Sequence, residues 1–179
     1  MTYAMPINLH QWIADHKNVL KPPVCNKQVF EQDDFIVMIV GGPNNRTDYH
    51  YNETPELFYQ IEGEMTLKVI EQENSDTPVF KDITIKQGEL FLLPPKVLHS
   101  PQRYENTVGM VVEQKRMKDQ LDALLWFCPK CHNQMYQESF ALADIETDLP
   151  KIFDRFYRQH THCQKCGFDY DVPDKYKVG

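Results

Sequence analysis

His50, Glu56 and His99 are the residues whose types and spacing best suit chemistry. Two imidazoles and one carboxylate with open positions make the facial arrangement of non-haem Fe(II) oxygenases, which leaves room for a chelating substrate and O2 together. A single histidine is more often structural than ligating. Here the setting recurs. Gly42-x5-Asp48-x-His50-x5-Glu56-x6-Gly63 runs from one turn, across a strand end, to another turn, and Gly88-x5-Pro94-x4-His99 repeats that strand-and-turn style further along the chain.

A second constellation lies near the end. Cys128-Pro129-Lys130-Cys131 and Cys163-Gln164-Lys165-Cys166-Gly167 are two short chelate loops. Together they can close a tetrahedral four-thiolate shell suited to Zn(II) or a rubredoxin-like Fe. Four thiolates leave no open position, so the site is expected to be structural, a staple for a small unit with little core. His132, His160 and His162 flank the pairs, either as bystanders or with one of them binding in place of a cysteine. Cys25, the fifth cysteine, reads as a small buried residue.

The elements that must position these groups are short. From about 28 to 115 the β-rich runs are Gln28–Phe30, Phe35–Val40, Leu57–Gln60, Met65–Glu71, Lys81–Ile85, Glu89–Leu93 and Thr107–Gln114. They are punctuated by Gly41-Gly42-Pro43-Asn44-Asn45, Glu62-Gly63, Asn74-Ser75-Asp76 and Gln87-Gly88, a pattern that predicts a sandwich or small barrel. Only the turns following Phe58 and Phe80 sit where simple hairpins are expected. Before this region, Asn8 can cap a short helix with Leu9, Trp12 and Ile13 on one face, ended by Lys21-Pro22-Pro23-Val24. After it, Lys115-Arg116-Met117-Lys118-Asp119-Gln120 reads as a charged linker. Thr147 or Asp148 can then cap a helix with Pro150 in its first turn and Ile152, Phe153, Phe156 and Tyr157 as its apolar stripe. The expected boundaries are therefore 1–115 and 116–179.

Composition excludes several classes. The 179 residues, 41% apolar and 25% charged, suit a globular chain rather than a disordered one. The longest clean apolar run, Phe35–Val40, is far short of the roughly 20 residues that span a membrane. Met1–Pro6 has neither a basic nor an apolar leader segment, which predicts a cytoplasmic, reducing setting in which paired cysteines hold metal rather than disulfides. The net charge is −7, with 16 acidic against 10 basic groups in residues 1–115 and 10 against 9 in residues 116–179. Neither part offers a basic face for a phosphate backbone, which argues against a nucleic-acid zinc ribbon.

The two histidine-bearing stretches resemble the paired motifs of the cupin superfamily. The usual first motif has two histidines one residue apart, then Glu, then Gly; Asp48 stands at the first histidine. It is either a fourth ligand or a turn or orienting residue. The usual second motif has Pro-x-Gly before its histidine; Lys96 stands at that glycine, while Pro94 and His99 are kept. Longer strings narrow the resemblance. Lys21-Pro22-Pro23-Val24-x-Asn26, Gly41-Gly42-Pro43-Asn44-x-Arg46-Thr47-Asp48-Tyr49-His50, Leu92-Leu93-Pro94, His99-Ser100-Pro101-Gln102-Arg103 and Val112-Glu113-Gln114 are similar to the 3-hydroxyanthranilate 3,4-dioxygenase family, as are the two Cys-x-x-Cys pairs. The similarity covers nearly the whole chain. It is to the compact microbial form, whose cysteine unit stands where the animal form has a second, degenerate cupin-like domain.

The resemblance implies an all-β cupin barrel (a double-stranded β-helix, jelly-roll-like) with a small C-terminal four-cysteine metal-binding unit containing a helix. It implies Fe(II) on His50, Glu56 and His99, Zn(II) or Fe on Cys128, Cys131, Cys163 and Cys166, and a homodimer. By position, Arg46, Arg103 and Glu113 match substrate-contacting, catalytic residues, and Asn26 a residue near the substrate. The implied substrates are 3-hydroxyanthranilate and O2. The ring opens between carbons 3 and 4 to give 2-amino-3-carboxymuconate semialdehyde, which cyclises without an enzyme to quinolinate, a precursor of NAD. The residue types suit these parts: Arg103 has the planar fork for a carboxylate, Arg46 can share it or donate to oxygen, and Glu113 can accept a proton from the hydroxyl or amine. Two readings stand beside this one: a cupin dioxygenase of another ortho-aminophenol or catechol acid, and a cupin that binds a small carboxylate without turnover. Substituting Glu56 separates them, since a catalyst loses turnover while keeping its ligand.

Overall fold

The computed structural model describes residues 5–22, 25–30, 34–71, 78–143 and 145–177. In chain order the elements are α1 (Leu9–Asp15), β1 (Asn26–Gln28), β2 (Phe35–Gly41), β3 (Tyr49–Tyr51), β4 (Glu56–Glu62), β5 (Met65–Glu71), β6 (Val79–Ile85), β7 (Leu90–Leu93), β8 (Leu98–Arg103), β9 (Val108–Gln114), β10 (Asp122–Phe127), β11 (Gln134–Phe140), α2 (Ile145–Gln159) and a 3-10 turn, Asp174–Tyr176. The strands form two antiparallel sheets, ordered β1-β2-β9-β4-β7 and β11-β10-β3-β8-β5-β6. Most of the β-rich runs fall on these strands; the first is shifted, to Asn26–Gln28. The Asn74-Ser75-Asp76 turn and Pro23-Val24 lie outside the described residues.

The side-chain period of two decides which residues face between the sheets. Phe58 and Val111 are cross-strand partners, as are Leu67 and Pro101. Val40, Phe58, Met65, Leu67, Val69, Ile85, Leu93 and Val111 form the barrel core. The hairpins expected after Phe58 and Phe80 are not there. The chain passes from β4 in one sheet to β5 in the other, and from β6 back to β7. Glu62-Gly63 and Gln87-Gly88 are tight turns, but they turn the chain across the barrel, which local sequence does not distinguish from a hairpin. Among the described residues, the consecutive strands that pair are β1–β2, β5–β6 and β10–β11.

Residues beyond 116 continue the second sheet, because β10 pairs with β3 through Leu124 and His50. Trp126 stacks on Phe156 of α2 with ring centroids 4.3 Å apart, and Ile152 and Tyr157 are buried with it. The expected apolar stripe of α2 is thus the face it buries. The helix begins earlier than expected, at Ile145. Asp148 lies within it and reaches back to accept from the Ala143 amide at 3.1 Å, so it caps from inside the first turn and Pro150 falls deeper in the helix. Among the described residues no helix is long and apolar enough to cross a membrane.

Lys96 has φ +67°, the left-handed region, and its amide donates to the Asn52 carbonyl at 2.8 Å. That conformation explains why a glycine suits this position, since a side chain there meets the following carbonyl at a cost of about 1 kcal/mol. Lys96→Gly is therefore expected to raise the melting temperature by about 2–4 °C. A lowered melting temperature in thermal denaturation would refute that account of the turn.

Candidate active site

Asn26, Arg46, His50, Glu56, His99, Arg103 and Glu113 all line one cavity between the sheets. Strand alternation puts them there. On β8, His99, Pro101 and Arg103 share the inward face; on β4 and β9, the inward pairs are Glu56 with Glu113, Phe58 with Val111, and Gln60 with Gly109. The cavity thus has acid groups and imidazoles at one end, apolar walls in the middle, and a buried guanidinium at the other.

At the first end, one ligand atom each from His50, Glu56 and His99 lies within 4.8 Å of the others. Glu56 Oε1 is 3.3 Å from His99 Nε2 and 3.6 Å from His50 Nδ1. Two ligands about 2.1 Å from a shared metal, at right angles, lie about 3.0 Å apart, so the set is open by only a few tenths of an ångström. The ring nitrogens on the far side are already engaged. His99 Nδ1 donates to the Val97 carbonyl at 3.0 Å, and His50 Nε2 donates to Asp122 Oδ2 at 2.6 Å. Each ring is thereby left with a bare nitrogen facing Glu56, the state a metal ligand needs. Burial lowers the His50 imidazole despite its bond to Asp122. Burial would raise Glu56 and lower His99, but their mutual attraction outweighs it, holding the carboxyl well below its usual range and His99 above its own. A divalent cation bound by these three groups would displace any proton they hold.

Asp48 is not in this group. It is fully buried and accepts from Arg46, through Nε at 3.0 Å and through Nη2. It is an orienting residue: burial alone would lower the Arg46 guanidinium, and Asp48 holds it above its ordinary value. Thr47, between them, meets Tyr157 Oη at 2.7 Å and Trp126 Nε1 at 3.0 Å, tying the Arg46 loop to α2 and β10. Arg103 is 2% exposed, and no carboxylate among the described residues pairs with it. Its Nη1 donates to Gln60 Oε1 at 3.2 Å. Burial pushes it down to about 10, so it stays charged near neutrality.

Glu113 points inward rather than to solvent, at 4% exposure. Burial and the nearby Glu56 charge push its carboxyl up to about 7, against Arg116. Asn52 Nδ2 bridges Glu56 Oε1 at 3.0 Å and Glu113 Oε2 at 3.1 Å. Asn52, Gln60, Gly109, Arg116 and Asp122 escaped the sequence reading. Only Gly109 and Gln60 carried a usable signal, as inward positions two and four residues from Val111 and Glu56 on alternating strands. Leu142 and Leu149, from the C-terminal segment, also line the cavity.

The four cysteines converge separately. Cys128 and Cys166 have their sulfurs 3.4 Å apart, Cys131 and Cys163 3.6 Å, and all four lie within 4.8 Å. Tetrahedral thiolates about 2.3 Å from a metal lie about 3.8 Å apart, so the residues fit such an ion. His132 stacks on Phe80, His160 on Tyr136, and His162 pairs with Asp169; none belongs to the cluster. Cys25 is buried beside Asn26, with Sγ 3.4 Å from the Pro43 carbonyl.

Comparison with known proteins identifies the family. The family model described as 3-hydroxyanthranilic acid dioxygenase matches residues 1–157. A protein of Xanthomonas euvesicatoria pv. vesicatoria named 3-hydroxyanthranilate 3,4-dioxygenase is 53% identical over 173 residues, covering 96% of this chain and 95% of its own. One of the same name from Neurospora crassa is 46% identical over 164 residues, covering 90% and 88%. Among solved structures, a cupin-2 domain protein from Shewanella frigidimarina superposes with a TM-score of 0.46 at 21% identity, over 60% of this chain and 93% of that one. The chain belongs to the 3-hydroxyanthranilic acid dioxygenase family.

Proposed function

We propose that this protein opens the ring of 3-hydroxyanthranilate between carbons 3 and 4 with O2, giving 2-amino-3-carboxymuconate semialdehyde, which closes to quinolinate. The observation that carries the reading is the cavity itself: a two-histidine, one-carboxylate set at one end and a buried, carboxylate-free Arg103 at the other. A ring bearing adjacent hydroxyl and amine groups and a carboxylate has matching chemistry.

His50, Glu56 and His99 would hold Fe(II), the metal that such a set with open positions favours. When bound, the iron supplies the redox chemistry that joins O2 to the ring. The rest falls to the chain. Arg103 receives the substrate carboxylate by charge-assisted hydrogen bonds, with no competing acid among the described residues. Arg46, held rigid by Asp48, adds a second positive charge on the same cavity wall. Val40, Phe58, Val111 and Leu149 exclude water around the ring plane. Glu113, poised near neutrality, takes the proton that the hydroxyl or amine gives up on binding. Asn26 borders the cavity at the start of β1 and is read as a substrate neighbour.

Glu113→Gln is expected to lower kcat by about 10²- to 10⁴-fold, with the protein still folded and metal-loaded. A kcat within threefold of the parent would remove Glu113 from that role. Gly109→Ala is expected to act through Arg103. A Cβ there would lie 2.4 Å from Arg103 Nη1 and 2.8 Å from Gln60 Oε1. Displacing the guanidinium by about an ångström should raise KM at least about tenfold; an unchanged KM would contradict it.

The four thiolates would hold Zn(II) or Fe as a closed, structural site. A cytoplasmic, reducing setting is the one in which such paired cysteines hold metal rather than disulfides. A homodimer is the expected assembly; Leu90 and Leu92, 65% and 63% exposed on edge strand β7, are apolar surface that a second copy could cover. Sedimentation equilibrium reads this directly, with a monomer as the contrary result.

A further inference from the structure

We propose that Arg116 and Asp122 are positioning residues, one guanidinium fixing both the orientation of His50 and the seat of Glu113. The inference rests on reading His50, Glu56 and His99 as a metal centre. Arg116 borders the cavity, but neither residue belongs to the His50, Glu56 and His99 set; both act through others.

The geometry is a chain of hydrogen bonds that runs from His50 round to Glu56. Arg116 Nε and Nη2 donate to Asp122 Oδ1 and Oδ2 at 2.7 and 2.6 Å, a bidentate fork. Its Nη1 donates to Glu113 Oε2 at 2.6 Å and to the Gln114 carbonyl at 3.0 Å. Asp122 Oδ2 also accepts from His50 Nε2 at 2.6 Å. From Glu113 the chain returns through Asn52 Nδ2 to Glu56 Oε1, 3.6 Å from His50 Nδ1. The side chains of Arg116 and Asp122 are 4% and 1% exposed, so solvent does not dilute these contacts.

Each link has a distinct consequence. The Asp122 carboxylate requires a proton on His50 Nε2, which leaves Nδ1 bare toward Glu56 and fixes the ring plane. The fork keeps Asp122 from turning away. The remaining Arg116 donors clamp the Glu113 oxygen that Asn52 shares, so Glu113 can offer its other oxygen to the cavity without swinging onto Glu56. A pair that served stability alone would leave metal affinity untouched when weakened.

The test uses the whole chain with its cysteine site left loaded. The other site is freed of metal and titrated with Co(II), read by its visible absorption, in the parent, Asp122→Asn, Arg116→Lys and His50→Ala. Asp122→Asn keeps the shape but loses the charge, and is expected to weaken Co(II) binding about 10- to 100-fold. Arg116→Lys keeps the charge but loses the fork; it is expected to weaken Co(II) binding several-fold and to lower kcat about tenfold with little change in KM. Folded Asp122→Asn that binds Co(II) as the parent does would overturn the proposal. Should Asp122→Asn fail to fold, parental Co(II) affinity and kcat in Arg116→Lys would overturn it. His50→Ala separates the two readings: parental affinity there would refute the metal centre itself, whereas weakened binding there with none in Asp122→Asn would refute only the positioning role.

Discussion

Arg103→Ala should lower kcat/KM for 3-hydroxyanthranilate by about 30- to 4,000-fold, corresponding to the roughly 2–5 kcal/mol lost when one partner of a buried charge pair is removed. The magnitude follows from its surroundings. Arg103 is buried, its side-chain partner Gln60 is uncharged, and no carboxylate among the described residues answers its charge. A buried cation without a counter-ion is costly, and a substrate carboxylate relieves that cost only while bound. Arg103→Lys should recover part of the loss, since an ammonium keeps the charge but not the planar fork. Steady-state kinetics over a range of substrate concentrations measure this. A change of less than threefold in Arg103→Ala would mean that the carboxylate is held elsewhere.

The second large effect concerns the cysteine cluster. Cys163→Ser should strip metal from the four-thiolate site and lower the melting temperature by at least about 10 °C, because such sites commonly contribute several kcal/mol or more to folding. Cys163 is fully buried, and its neighbours depend on the same corner of the chain. Cys128 directly follows β10, whose Trp126 stacks on α2, and α2 carries Leu149 to the cavity wall. Metal analysis alongside thermal denaturation gives the answer. Full loss of the ion without a shift in melting would show that packing around Trp126 and Phe156 suffices to hold this part together.

Much of the barrel was legible because its structural strands alternate. Met65–Glu71 and Phe35–Gly41 present apolar residues at a period of two or in a continuous run, and both formed strands where that pattern lies. The strands that carry chemistry were harder to see. Leu98–Arg103 holds His99, Ser100, Pro101, Gln102 and Arg103, a poor strand by composition. Its pairing with β3 is confined to His50 and His99, so Pro101 sits where β5 alone is beside it. Tyr49–Tyr51 is too short to show any period. The order of strands across two sheets was not legible, since tight turns look alike whether they fold a hairpin or cross the barrel.

The same contrast runs through the site. His50, Glu56 and His99 were expected from residue type and motif, Arg46, Arg103, Glu113 and Asn26 from the family resemblance, and one cavity brings them together. Arg116 was read as part of a charged linker, yet its side chain is 4% exposed between Glu113 and Asp122. Charge in a segment shows neither which member turns inward nor that an acid 72 positions from His50 will accept from its ring. Such partners are fixed by β10 lying beside β3, a long-range pairing that no local window contains.

Oxygen uptake tests the central claim most directly. The protein, loaded anaerobically with Fe(II), is mixed with 3-hydroxyanthranilate in air-saturated buffer, with His99→Ala as control. The account predicts rapid uptake, one O2 for each substrate consumed, that the control lacks. No uptake by protein shown to hold iron would contradict the substrate assignment, and equal uptake by His99→Ala would contradict the metal centre.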